Sequence, residues 1–103
     1  MSAVEVVNNR ERRRYEAIVE GVVAGISAYQ LTDELIVFTH TEVGDEYEGQ
    51  GIGGALVRGA LDDVRLEGAH RVLPLCPFVK AWIGRHRDYQ DLVYAARPST
   101  ARD

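Results

Sequence analysis

Through residues 4–43 apolar side chains recur at every second position between short polar interruptions, and from residue 52 the apolar spacing lengthens to three and four. The first pattern predicts strands at Val4–Val7, Tyr15–Glu20, Val22–Gln30 and Leu35–Val43. Turns fall at Asn8–Arg13, Gly21 and Thr32–Glu34. Four strands joined by short polar turns favour an antiparallel meander. The second pattern predicts a helix over residues 51–67. Ile52, Ala55, Leu56, Gly59, Ala60 and Val64 share one face of it, Arg58, Asp62 and Arg65 point elsewhere, and Gly68 is a natural stop. A strand over Arg71–Cys76 follows, and Pro77 opens a second helix through His86.

This order makes a βαβ crossover, so the fourth and fifth strands should run parallel in an α/β (α+β) fold. Pro74 removes a ladder donor, which suits an edge strand or a place where pairing is lost. Trp82 and Ile83 should pack the last helix onto the sheet, with Tyr89 and Tyr94 as supports. The segment 95–103 has no periodicity and is expected to fray, leaving one domain over residues 1–94.

At 103 residues the chain has room for one core. A hydrophobic share of 46% with 27% charged residues is ordinary for a globular protein, and no apolar run approaches the roughly 20 residues that span a bilayer. No secretory signal is visible, and the single cysteine, Cys76, suits a reducing compartment, so the expected location is the cytoplasm, away from membranes. One cysteine cannot supply a four-ligand zinc site, and no metal is expected. Net charge −4 and a pI near 5.3 disfavour nucleic-acid binding. The run Arg10-Glu11-Arg12-Arg13-Arg14 reads as a solvated turn, with a phosphate-contacting patch as the alternative.

Between the fourth strand and the first helix lies Glu48-Gly49-Gln50-Gly51-Ile52-Gly53-Gly54. Its glycines let bare backbone approach a ligand, and successive N–H groups at a helix N-terminus suit phosphate oxygens. A pyrophosphate-bearing cofactor is therefore expected here. Gly49, Gly51 and Gly54 satisfy the dinucleotide pattern literally, but a nicotinamide-binding domain normally begins with that loop, and here four strands precede it. The phosphate-loop pattern of nucleotide hydrolases fails, because no Lys-Ser/Thr ends the loop.

The stretch from Thr39 to Val93 resembles the GNAT superfamily of acetyl-coenzyme A-dependent N-acetyltransferases, whose signature Gln/Arg-x-x-Gly-x-Gly/Ala falls on Glu48–Gly53. His40-Thr41-Glu42-Val43, the glycine loop and Leu75-Cys76-Pro77-Phe78-Val79-Lys80 together are similar to the small single-domain branch of that superfamily. The resemblance implies a GNAT-like fold, acetyl-coenzyme A as cofactor and an amine, on a small molecule or a peptide, as acceptor. It implies that the fourth and fifth strands diverge, with the pantetheine arm lying between them beside Val43 and Phe78. The pyrophosphate would lie over Gly49, Gln50, Gly51, Ile52, Gly53 and Gly54. Glu48 departs from the signature and would bring a carboxylate near the pyrophosphate unless it points away. Val7 to Tyr15 is too short for the helices that usually wall the acceptor site. That site should be open, or completed by a second subunit or by the substrate, so a monomer and a homodimer both remain open.

Acetyl transfer to an amine needs a base for the ammonium proton and a donor for the departing thiolate. His40, Glu42 and Cys76 are the candidates. Alternation places His40 and Glu42 on the face that buries Ile36 and Phe38, although a satisfied strand histidine and a solvated carboxylate are the ordinary alternatives. Cys76, at a strand end and a helix start, could touch the thioester, act as nucleophile, or serve as a small buried hydrophobe. Direct attack by the amine needs no cysteine intermediate. His70 and His86 are assigned to the surface. The competing function is a coenzyme A-binding regulatory or interaction module with little catalysis.

Overall fold

The computed structural model describes residues 3–95. Strands β1 (Val4–Asn9), β2 (Arg14–Val19), β3 (Val22–Leu31), β4 (Leu35–Val43) and β5 (Arg71–Pro74) form one sheet in chain order. Helix α1 (Ile52–Glu67) connects β4 to β5, and helix α2 (Pro77–Gly84) follows. The first four strands are antiparallel and β4–β5 is parallel, as the pattern of short turns followed by one helical crossover requires. The expected fraying of 95–103 falls almost wholly outside the described residues.

Local chemistry sets each turn. Asn9 Oδ1 accepts from Arg12 N–H at 3.2 Å and Arg13 N–H donates to Arg10 C=O at 3.3 Å, closing the β1–β2 turn with Arg13 at φ 54°. Glu20 and Gly21 both adopt positive φ between Val19 and Val22, the requirement of a two-residue type I′ hairpin. Thr32 Oγ1 accepts from the N–H groups of Glu34 and Leu35 before β4 begins. Gly68, at φ 69°, ends α1 by donating its N–H to Val64 C=O.

Both helices pack on the same sheet face. Ile52, Leu56, Val57, Ala60, Leu61 and Val64 of α1 meet Tyr15, Ala17 and Val19 of β2, Tyr29 of β3, and Ile36 and Phe38 of β4 in one core. Gly59 allows α1 to approach the first strand, because a Cβ there would lie 2.7 Å from the Val6 side chain. Val79, Trp82 and Ile83 dock α2 onto the same core. Trp82 then receives Tyr89 edge-on and His86 stacked at 3.7 Å.

Several boundaries differ from the sequence expectation. β1 continues to Asn9 and α2 stops at Gly84. β5 stops at Pro74, two residues early, because Leu75 and Cys76 both donate their N–H groups to Phe38 C=O and so turn the chain off the ladder. Pro74 does end an edge strand of the sheet ladder. On the outer side of β5, Val93 forms a single parallel bridge to Val72. His86 and His70 are half-buried rather than surface residues, and His86 Nδ1 lies 2.6 Å from Trp82 C=O.

The largest departure lies in β4. Ala28 pairs with His40 and Tyr29 with Phe38, which leaves Thr39 as an extra residue in a β-bulge. The bulge reverses the side-chain parity beyond it. Ile36 and Phe38 are buried under the helices, and then Thr41 and Val43, not His40 and Glu42, take the helix side. The expected shared face of Phe38, His40 and Glu42 is therefore corrected. His40 and Glu42 project from the opposite face, their side chains 60% and 71% exposed.

Candidate active site

Beyond Phe38 the fourth strand loses its parallel partner while keeping β3 on its other side, so Thr39–Val43 presents one free backbone edge. Past β4, a 3₁₀ turn over Asp45–Tyr47 leads into the glycine loop. Gly49 and Gly51 lie at φ 80° and 77°, a region where a side chain is strained, and Gly51 caps α1. The first intrahelical bond is Ala55 N–H to Gly51 C=O at 3.1 Å. The N–H groups of Gly51, Ile52, Gly53 and Gly54 thus precede the helical ladder, and no side chain caps them. The first turn of α1 contains no acidic residue, so the positive end of its dipole is not offset there.

These two features border one cleft of about 420 Å³. Thr41 and Val43 supply its strand wall, Tyr47 and Glu48 its rim, and Phe78 of α2 the opposite wall. Gly49, Gly51, Ile52, Gly53 and Gly54 form the loop side. A Cβ on Gly53 would lie 2.8 Å from Phe78 Cζ, so a side chain there would push the aromatic wall from its place. Gly49 and Gly51 have nothing within 4 Å of such a Cβ; their requirement is conformational.

Of the sequence candidates, Val43, Phe78 and the glycines at 49, 51, 53 and 54 line the cleft, as does Ile52, itself 3% exposed. Gln50 does not. It lines an adjoining groove with Val4, Val19 and Ala55, and its amide reaches Glu46 C=O at 3.4 Å. Cys76 lies behind the cleft, 3% exposed, with its thiol donating to Thr41 Oγ1 at 3.3 Å. Thr41 Oγ1 also lies 3.0 Å from the Oγ of fully buried Ser27. His40 and Glu42 form a pair on the face away from the helices, Nε2 to Oε1 3.1 Å. Glu42 also borders a shallow groove with Gly44 and Asp45 where the start of β3 meets the end of β4.

Sequence reasoning missed Thr41 and Tyr47 as cleft residues. Tyr47 carried a usable signal, an aromatic side chain immediately before the loop. Thr41 carried none, because the bulge that turns it inward has no residue signature in Phe38-Thr39-His40. Among the described residues no group of His, Cys, Asp and Glu is arranged to hold a metal ion, and no helix is long and apolar enough to cross a membrane.

A family model described as GCN5-related N-acetyl-transferase matches residues 14–92. Among solved structures, a GCN5-like candidate N-acetyltransferase from Staphylococcus aureus is similar at 25% identity and a TM-score of 0.67, over 94% of each chain. The ribosomal-protein-alanine N-acetyltransferase from Brucella melitensis biovar Abortus 2308 shares the fold at 21% identity and a TM-score of 0.54, over 84% of this chain and 64% of its own. No curated protein matches the chain. The chain therefore belongs to the GCN5-related N-acetyltransferase family, and N-acetyl transfer is the activity that membership indicates.

Proposed function

We propose that the chain transfers an acetyl group from acetyl-coenzyme A to an amine. The observation that carries this reading is the meeting, in one cleft, of an unpaired strand edge at Thr39–Val43 and the uncapped amides of Gly51–Gly54. The amides suit pyrophosphate oxygens, and the free edge suits the amide groups of a pantetheine arm, which can add to a sheet as a strand does. When bound, the cofactor supplies an activated acetyl thioester.

The chain's own residues then divide the work by sheet face. Phe78, Val43 and Ile52 give the arm an apolar lining. Thr41 and Cys76 stand at the divergence of β4 and β5, where the thiol and hydroxyl hold each other and shape the end of the cleft. On the helix-free face, His40 and Glu42 lie beside the same strand edge. One of them, directly or through water, takes the ammonium proton from an acceptor approaching that face, and their mutual contact orients the pair. Direct attack by the amine is the favoured route, since Cys76 is buried and bonded to Thr41.

His40–Val43, the glycine loop and Leu75–Lys80 support placing the chain in the small single-domain branch that includes the vertebrate protein called N-acetyltransferase domain-containing protein 1. We assign residues 1–94 to that one domain and 95–103 to a tail. The acceptor is a small-molecule or peptide amine. Turns of a few residues separate β1 from β2, so nothing there walls the helix-free face; either a monomer or a homodimer is compatible with that opening.

Single-turnover transfer from labelled acetyl-coenzyme A to a panel of primary amines and amine-bearing peptides tests the proposal. Acetylated acceptor is the expected product. Saturable coenzyme A binding without transfer to any acceptor would favour a regulatory module, for which Glu48 at the cleft rim is the supporting feature.

A further inference from the structure

A cavity of about 240 Å³ lies at the other end of β4 from the cleft. The rings of Tyr15 and Tyr29 and the side chains of Leu31 and Ile36 give it an apolar floor and wall. Both phenols are already engaged, since Tyr15 donates to Asp63 at 2.7 Å and Tyr29 to Asn8 at 2.6 Å. Arg10, at the rim, is paired with Glu67 at 2.9 Å. Arg13 and His70 also line the cavity, and neither makes a side-chain hydrogen bond or ion pair among the described residues. Arg13 reaches its position from a left-handed backbone conformation, φ 54°, where glycine or asparagine would be less strained.

We propose that this cavity is a binding site for a small monocarboxylate. The carboxylate is held by the Arg13 guanidinium and the His70 ring, and a compact aromatic or branched aliphatic body lies on Tyr15, Tyr29 and Ile36. Arginine supplies a planar fork that matches a carboxylate, and the cavity has room for only a small body beside it. A monoanion is favoured over a phosphate dianion because Glu67 shares the rim and Asp63 lies behind Tyr15, so a second negative charge would be repelled. A neutral ligand would leave the free guanidinium without a partner. The site is separate from the thioester cleft: Ile36 near the start of β4 lines one, and Thr41 and Val43 at its end line the other.

Amide shift mapping and calorimetric titration of the full chain with sodium benzoate, benzamide and inorganic phosphate test the site. Benzoate should bind saturably with shifts centred on Arg13, Tyr29 and His70, and benzamide, its uncharged isostere, should bind about tenfold more weakly. Arg13→Gln should weaken benzoate about fivefold or more. Arg13→Gly, which relieves the positive φ, should raise the melting temperature while still losing benzoate affinity, so that loss of binding is separated from loss of fold. Equal affinity for benzoate and benzamide, benzoate binding unchanged in Arg13→Gln, tighter binding of phosphate than of benzoate, or shifts centred on Gly51–Gly54 would each overturn the proposal.

Discussion

The Cys76 thiol donates to Thr41 Oγ1 at 3.3 Å across the point where β4 and β5 part. The contact joins the helix-capping residue of α2 to the strand wall of the cleft, and Ser27 completes it from β3. Thr41→Val keeps the shape but removes the hydroxyl, leaving Ser27 buried without that partner. The expected cost is roughly 1–3 kcal/mol, read from urea denaturation. Cys76→Ala should retain measurable transfer, and intact-mass analysis after mixing with acetyl-coenzyme A should find no cysteine-linked acetyl group. A kinetically competent acetyl-Cys76 would reverse this assignment.

Gly51 and Gly53 should fail for different reasons. Gly51→Ala introduces a side chain at φ 77° in open space, so its cost is conformational, about 1–2 kcal/mol, with loss of coenzyme A affinity as the loop shifts. Gly53→Ala instead meets Phe78 at 2.8 Å and should displace the ring from the cleft wall. Adding Phe78→Ala should then cost less affinity than it does in the parent chain, a non-additivity visible in a double-mutant cycle. Additive losses would show that Gly53 does not act through Phe78.

His40→Gln and Glu42→Gln each remove a proton acceptor from the helix-free face. Both side chains are largely exposed, so stability should change by only about 0.5 kcal/mol. If either group is the base, its substitution should lower kcat by roughly 10²–10⁴-fold with coenzyme A affinity retained. Full activity in both single variants and in the double variant rejects the pair.

Alkaline pH should destabilise the fold through its tyrosines. Burial and the Asp63 carboxylate push the Tyr15 phenol far up, burial raises Tyr29, and the Asp62 carboxylate that accepts from Tyr89 raises that phenol. Each group holds its proton longer in the folded chain than in the unfolded one. The stabilisation is therefore complete below the ordinary phenol value near 10 and declines as the pH climbs above it towards the folded values. Tyr15→Phe should flatten the decline in a pH series of chemical denaturations, and an unchanged slope would exclude Tyr15 as its source.

Much of the framework was legible because local rules and tertiary packing agree. Gly68 stops α1 as its position after Glu67 suggests, Pro74 ends an edge strand, and the short turns impose the meander. The glycine loop was legible for a similar reason: Gly49 and Gly51 need backbone angles that other residues avoid. His40 and Glu42 were misplaced because period-two counting assumes an unbroken ladder, and whether Thr39 pairs is decided by β3 across the sheet. That Gln50 borders the adjoining groove was not legible, because proximity in the loop does not say which side of it a residue lines. The Arg10–Arg14 run read as a solvated turn, and the cavity beneath Arg13 depends on Tyr29, Ile36 and His70, too distant in sequence to be grouped with it.

Thr39 works as a phase shifter within β4. Ahead of it, side chains answer to the hydrophobic interior; behind it, alternate positions answer to the cleft and to the helix-free face. Removing this one residue would make His40 follow Phe38 directly, so a regular alternation would keep His40 and Glu42 on the helix-free face and Thr41 and Val43 on the cleft side. Pairing Thr39 into the ladder, with no residue left over, would instead exchange the chemistry of the two surfaces without altering the identity of any side chain.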